Sequence, residues 1–423
     1  MRNLKIAVIG AGSTYTPELI NGFLTRADSL GAGSFYMMDI DEVKNEIVSG
    51  LARRMIDRSG HGARLVVTGD LEEALYGADY VVAQVRVGRL PARVADEKIP
   101  LKHGLIGQET TGAGGFFKAL RTIPVIEDVA KTMERVCGDA WLINFSNPSG
   151  IIAQMLSQTA KINFAGLCNG PINMLRFLKS KIEGDYDFDF VGLNHFNWIT
   201  RVVVGGKDVL PELVADGALS REHGRACGEE LYGASGGISG GYLNYYYFRD
   251  EALEKLKTQK TSRGEDCMEI EKELLKMYAD ESLCEKPALL DKRGGAMYSE
   301  AAVSLIDAIE NDRNDVHVVN VRNNGTLPFL DADDVAEVKC SVGKNGPSPL
   351  PLLNNNVSGH IAGYVRMMKE YEKLAVKAGL NGDRDAALAA LTLHPLVGDY
   401  EKAKAVFDEM LLVHKNYLPR FFK

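Results

Sequence analysis

The stretch that most constrains the fold is Ile6-Ala7-Val8-Ile9, ended by Gly10-Ala11-Gly12-Ser13 and followed by Thr16-Pro17-Glu18-Leu19-Ile20. It reads as a buried strand, a turn and the start of a helix. Pro17 suits a first helical turn, where its missing N–H costs nothing. Two glycines at such a turn let the backbone approach a pyrophosphate, whose charge the helix N-terminus stabilises. The third glycine of the usual pattern is absent, since position 15 is tyrosine. A second strand, Phe35-Tyr36-Met37-Met38, ends in Asp39, placed to bind the diol of an adenosine ribose. An acid rather than a base at that point favours NAD over NADP. The alternative is a tight turn followed by a solvent-facing aspartate.

The alternation continues. Arg64–Thr68 predicts a third strand, Asp70–Tyr76 a helix, Ala78–Val85 a fourth strand, 117–136 a helix and Ala140–Phe145 a fifth strand. Strands separated by helices imply a parallel, doubly wound α/β sheet of Rossmann type. Past residue 165 the pattern changes. Val191–His195 and Trp198–Val204 read as strands of a second sheet, and 264–279, 299–311, 357–377 and 384–415 carry helical periodicity. A chain of 423 residues exceeds one ordinary core. The expectation is two intimately packed domains, a Rossmann-like one over 1–165 and an α+β one over 166–423.

Lysine and arginine total 49 against 57 acidic residues, a net charge of −8, so no basic surface argues for nucleic acid. No stretch approaches the roughly 20 apolar residues of a membrane span. The opening apolar run is too short for a signal-peptide core. The six cysteines are scattered, with no C-x-x-C, which fits reduced thiols in a cytoplasmic protein.

Two residues carry possible metal chemistry. Cys168 opens Cys168-Asn169-Gly170-Pro171, and His195 closes Gly192-Leu193-Asn194-His195. Alone, a cysteine reads as a small buried hydrophobe and a histidine as a satisfied core residue. Asn194 and Asn197 flank His195 with amides unusual on an apolar strand. One sulfur and one nitrogen ligand would leave positions open for substrate oxygens, as a catalytic metal requires. The donor pair by itself suits zinc as readily as manganese.

Other polar clusters fall where ligands bind in such sheets. Gly107-Gln108-Glu109-Thr110-Thr111-Gly112-Ala113-Gly114-Gly115 reads as a loop after the fourth strand. Asn144–Gly150 follows the fifth, and Asn147 there is a candidate contact to nicotinamide or substrate, the other reading being a cap and turn. Tyr242, Tyr245 and Tyr246 share one helical face and should mostly pack. A tyrosine beside a metal and a cation could ionise and act as a base. Arg93 and the Lys292-Arg293-Gly294-Gly295 turn are plausible anion contacts, ordinarily solvated charges.

Together these motifs resemble glycoside hydrolase family 4, the NAD- and metal-dependent glycosidases. The resemblance spans Gly10–Pro17, Gly107–Gly115, Asn144–Gly150, Cys168–Pro171, Gly192–His195, Tyr242–Tyr246, Arg293–Tyr298 and Asn320–Gly325. It implies a fold like that of lactate and malate dehydrogenases, and chemistry outside the paired-carboxylate scheme. Hydride would pass from the sugar C3 to NAD⁺, giving a ketone. A divalent metal, manganese before others, held by Cys168 and His195, would acidify the C2 proton. Tyr242 would remove that proton; the aglycone would leave by elimination, water would add at C1, and hydride would return to C3. Gly10, Gly12, Ser13, Asp39 and Asn147 would hold the cofactor. The resemblance also implies a homodimer or homotetramer assembled through the C-terminal part.

Positions that look like Arg93, Arg293 and Asn147 bind phosphate in the family's 6-phosphoglycosidases, and guanidinium forks match phosphate oxygens. Members acting on α-linked sugars tend to carry an acid after the metal cysteine; this chain has Asn169. The expected activity is therefore hydrolysis of 6-phospho-β-glucosides such as cellobiose 6-phosphate. The alternatives are a 6-phospho-α-glucosidase, an α-galactosidase or glucuronidase of the same family, and a hydroxy-acid dehydrogenase. An NAD sensor without enzymatic activity is the remaining class.

Overall fold

The computed structural model describes residues 2–293 and 298–423. Six strands form the predicted parallel sheet: β1 (Leu4–Ile9), β2 (Ala32–Met38), β3 (Arg64–Thr68), β4 (Tyr80–Ala83), β5 (Trp141–Asn144) and β6 (Asn163–Gly166). Their spatial order is β3-β2-β1-β4-β5-β6, every pair parallel. This is the dinucleotide-binding order, with a switch point between β1 and β4 where the chain leaves toward opposite faces. All four residues of β4 and nearly all of β1 are buried, as strands covered on both faces must be.

Beyond residue 165 the chain builds β7 (Asp187–Leu193), β8 (Phe196–Val204), β9 (Lys207–Asp208) and β10 (Ile238–Ser239), a small antiparallel sheet in which β8 is central. It then returns to the first sheet. The strands β11 (Asp315–Arg322), β12 (Val335–Gly343) and β13 (Gly346–Pro349) extend that sheet beyond β6, so nine strands run continuously. The junction is narrow: Asn320 pairs with Gly166, where a Cβ would meet the Asn320 side chain at 2.9 Å.

Two local expectations are corrected. The span between β4 and β5 holds two helices, Arg89–Lys102 and Gly112–Val136, so Gly112–Gly115 is a first helical turn and only the residues before it form a loop. The glycines are there for contact. A Cβ on Gly114 would overlap the backbone oxygens of Gln108 and Asp96, and one on Gly115 would lie 2.5 Å from the Thr110 carbonyl carbon. The 384–415 periodicity likewise divides into helices Arg384–Leu393 and Tyr400–Val413, broken at His394-Pro395. His394 occupies the break. Its Nδ1 accepts from the Leu396 N–H at 3.1 Å, and its Nε2 lies 3.2 Å from the Gly112 nitrogen. Deeper in this layer Arg121 grips Asp96 through both oxygens, at 3.0 and 2.6 Å, and His414 lies 3.0 Å from the same carboxylate.

Candidate active site

The C-terminal ends of the parallel strands define one crevice. β1 delivers Gly10 with φ +85°, and a Cβ there would sit 3.1 Å from the Gln84 backbone just past β4. Gly12 is equally tight: its Cβ would lie 2.9 Å from Asp39 Oδ2, and its N–H donates to that oxygen at 2.9 Å. The other Asp39 oxygen accepts from the Asp41 N–H at 2.9 Å. Gly10, Gly12 and Asp39 are thus assembled as the sequence predicts. The cradle has backbone at its floor and a carboxylate at the ribose end, and so fits a dinucleotide without a 2′-phosphate. Ser13 closes the turn, its Oγ accepting from the Tyr15 N–H at 3.3 Å. Tyr15 leans the other way, donating from its hydroxyl to the Arg293 carbonyl at 2.9 Å.

After β5 the Asn144 side chain is consumed by the turn: its Oδ1 accepts from the Ser146 N–H and its Nδ2 donates to the Ser146 carbonyl. The cap-and-turn reading holds for Asn144. Asn147, partly exposed, is the amide of this segment available to a ligand.

Cys168 follows β6 and caps the helix Asn169–Lys181, the Gly170 N–H donating to its sulfur at 3.3 Å. A helix N-terminus favours a thiolate there. Burial nonetheless pushes the thiol up to about 12, with Glu337 adding to the rise and Gly170 and Asn194 opposing it. His195 lies in the two-residue turn between β7 and β8, at φ +62°. Backbone strain of this kind persists only where its surroundings hold it. Gly192, at φ +150°, permits the bend, since a Cβ would lie 2.5 Å from the Asn197 Cα. Burial, and then Lys118, pull the imidazole down to about 3, so it is neutral, as a metal ligand must be. Among the described residues its Nδ1 is buried without a hydrogen-bond partner.

Tyr242 completes the cluster, its ring centroid 4.3 Å from that of His195. Of the three tyrosines expected on one face, Tyr242 and Tyr245 stay together, their ring centroids 6.4 Å apart. A 3₁₀ turn over Gly241–Leu243 precedes the helix Asn244–Tyr247. Tyr242 turns to His195, Tyr246 stacks on His394, and Tyr247 meets His360 at 2.9 Å. Burial raises the Tyr242 hydroxyl above its usual value while Thr110 lowers it, so it is a neutral phenol until a cation is added nearby.

Around this centre lies a charged wall that the sequence does not announce. Glu109 is clasped by Arg86, by Arg93 at 3.1 Å and by Lys118 at 2.7 Å. Burial alone would raise its carboxyl, but the three cations hold it well below the usual range. Burial and Arg86 pull Lys118 down to about 7. Arg93 also binds Glu97 at 2.8 Å, so its guanidinium is buried and oriented. Arg293 lies over the Tyr15 ring at 5.2 Å, with its Nε buried and lacking a hydrogen-bond partner among the described residues. An oriented guanidinium with an unused N–H suits an anion. Positions 294–297 of the motif beginning at Arg293 fall outside the described residues. Asn169 Oδ1 is likewise buried without a partner among the described residues.

Among the described residues no group of three or more His, Cys, Asp or Glu could hold a metal. The Cys168–His195 pair therefore fits a cation only if other ligands, such as substrate oxygens, complete the shell. The residue sequence reasoning missed is Glu337. Fully buried on β12, it accepts hydrogen bonds from Asn194, Asn197 and Asn320. Burial pushes its carboxyl up to about 7 against those three amides. In Val335-Ala336-Glu337-Val338-Lys339 it looks like one solvated position of an alternating strand.

Comparison with known proteins identifies the family and the fold. The family model described as family 4 glycosyl hydrolase matches residues 5–183, and that of the family's C-terminal domain matches 190–397. A Bacillus subtilis (strain 168) protein named a probable 6-phospho-β-glucosidase is 41% identical, over 100% of this chain and 98% of its own. The structure of the Thermotoga maritima 6-phospho-β-glucosidase with manganese, NAD⁺ and glucose 6-phosphate superposes with a TM-score of 0.90 at 36% identity. It covers 98% of this chain and 99% of that one. The Cryptosporidium parvum malate dehydrogenase shares the fold alone, with a TM-score of 0.56 at 17% identity over 90% of this chain and 99% of its own. With both halves matched and the dehydrogenase-like fold beneath them, this chain belongs to glycosyl hydrolase family 4.

Proposed function

We propose that this chain hydrolyses 6-phospho-β-glucosides, of which cellobiose 6-phosphate is an example, to glucose 6-phosphate. The observation that carries the reading is a neutral imidazole with a bare Nδ1, packed 4.3 Å from a tyrosine ring. Both belong to the site that holds the dinucleotide cradle. When bound, NAD⁺ supplies reversible hydride acceptance at the sugar C3, and a divalent ion, manganese by preference, supplies Lewis acidity at the C3 oxygen.

The chain's own residues do the rest. Gly10 and Gly12 admit the pyrophosphate, Asp39 takes the ribose hydroxyls, and Ser13 and Asn147 line the remaining cofactor path. Cys168 and His195 hold the cation as thiolate and neutral imidazole. Tyr242, a phenol in the unloaded site, gives up its proton once positive charge arrives and accepts the C2 proton at its oxygen. Arg93 and Arg293 receive the 6-phosphate, with Asn147 beside them. Asn169 follows Cys168 where an α-active member would place an acid, which favours the β-anomer. In this division residues 1–165 carry the cofactor and 166–423 the metal, the base and the subunit contacts of a homodimer or homotetramer. Among the described residues no helix is long and apolar enough to cross a membrane, and we assign the enzyme to the cytoplasm, without a nucleic-acid partner.

The test is release of nitrophenol from its β-glucoside 6-phosphate by dialysed protein, with NAD⁺, Mn²⁺ and reductant added singly and together. Turnover is expected only with NAD⁺ and Mn²⁺ present and the thiol reduced, with no net NADH and none on the unphosphorylated glucoside. Net NADH would indicate a dehydrogenase, and turnover confined to α-linked or unphosphorylated glycosides would overturn the substrate assignment.

A further inference from the structure

We propose that Glu337 is a positioning residue for the cation site, holding Asn194 and Asn197 on either side of His195. The inference rests on the metal reading given under Proposed function.

The geometry is closed on three sides. Glu337 Oε1 accepts from Asn194 Nδ2 at 3.2 Å and from Asn320 Nδ2 at 2.9 Å, and Oε2 accepts from Asn197 Nδ2 at 2.6 Å. Asn194 Oδ1 accepts from the Gly150 N–H at 3.3 Å, which fixes the sense of that amide. Asn194 also opposes the rise that burial imposes on the Cys168 thiol. One carboxylate thus grips the His195 turn through the amides on both sides of it. The turn needs such support, because His195 has a left-handed backbone, uncommon for any residue that carries a Cβ.

Charge points the same way. Glu337 is fully buried and, among the described residues, forms no ion pair, whereas nearby Glu372 is paired with Lys369. A buried carboxylate satisfied only by amides is costly. A cation on Cys168 and His195 would balance it. Partners behind the first ligands typically change metal affinity by about 10- to 100-fold when removed.

The experiment uses the full chain and two probes, Mn²⁺ for affinity and Co²⁺ for its thiolate-to-metal absorption band. In E337Q an NH₂ group must face at least one asparagine NH₂, so one amide turns away. We expect Mn²⁺ to bind about 10- to 100-fold more weakly and the cobalt–thiolate band to diminish or shift, with NAD⁺ affinity within twofold of wild type. A folded E337Q with unchanged Mn²⁺ affinity and an unchanged band overturns the proposal, even if its melting temperature falls. Should E337Q not fold, N194A decides: at least tenfold weaker Mn²⁺ binding supports the proposal, and unchanged binding overturns it. Absence of any cobalt–thiolate band in wild-type protein would instead remove the metal reading, and this inference with it.

Discussion

Replacing Gly12 by alanine tests the cofactor cradle with a single methyl group. The Gly12 backbone lies outside the left-handed region, so alanine adopts it without strain and the cost is all contact. The new Cβ would lie 2.9 Å from Asp39 Oδ2, 3.1 Å from its Cγ and 3.4 Å from the Asn45 nitrogen. That is roughly half an ångström inside an unstrained contact. The flexible partner yields, and it is the Asp39 carboxylate, now held by the Gly12 and Asp41 N–H groups at 2.9 Å each. Its retreat gives up a hydrogen bond to a charged group, worth about 1.5–3 kcal/mol. It also moves the acceptor meant for the ribose diol. Since about 1.4 kcal/mol is tenfold, NAD⁺ affinity should fall about 10- to 150-fold. Folding stability should fall by up to about 1.5–3 kcal/mol as well, because the Gly12–Asp39 bond is internal to the protein, and the lost ribose contact adds its own cost to binding. Titration calorimetry with NAD⁺, beside a thermal melt, measures both. An NAD⁺ affinity within twofold of wild type would refute the cradle. Gly10→Ala is the contrast: at φ +85° its Cβ would meet the Gln84 backbone, which cannot turn aside, so the loss should appear in folding.

Tyr242→Phe should lower kcat by about 10²- to 10⁴-fold and abolish deuterium incorporation at C2 from heavy water, while Mn²⁺ binding persists. Product NMR in D₂O checks it, and undiminished exchange would remove Tyr242 as the base. Arg293→Met should raise KM for the 6-phosphoglucoside by at least tenfold, with a smaller change in kcat; steady-state kinetics on that substrate decides. Metal binding should release one proton above pH 8, because the free Cys168 thiol is pushed up to about 12 and His195 down to about 3, already neutral. Glu337, pushed up to about 7, is ionised by then. Mn²⁺ affinity should therefore rise tenfold from pH 8 to 9, and a flat calorimetric profile would contradict thiolate ligation. Arg121→Met strands the fully buried Asp96 and should cost about 3–5 kcal/mol in chemical denaturation.

The sequence alone determined the parallel half of the fold, because the strand runs and the Gly10–Gly12 turn encode local conformation and burial within a few residues. It also named Cys168, His195 and Tyr242, since these types stand out against their neighbours and sit in motifs with a family resemblance. What it did not carry is pairing across the chain. Nothing near residue 337 says that its carboxylate meets asparagines 194, 197 and 320, and nothing near residue 109 says that Arg86, Arg93 and Lys118 close on it. Gly114 and Gly115 read as a loop because glycine signals chain freedom locally, while only packing against Asp96 and Thr110 shows that they are there for closeness. Likewise nothing near residue 320 says that Asn320 meets Gly166 and carries the C-terminal strands onto the nucleotide sheet. Local conformation is written in neighbouring residues. Charge compensation and backbone approach depend on which distant segments the tertiary fold brings within a few ångströms, and only the structure decides that.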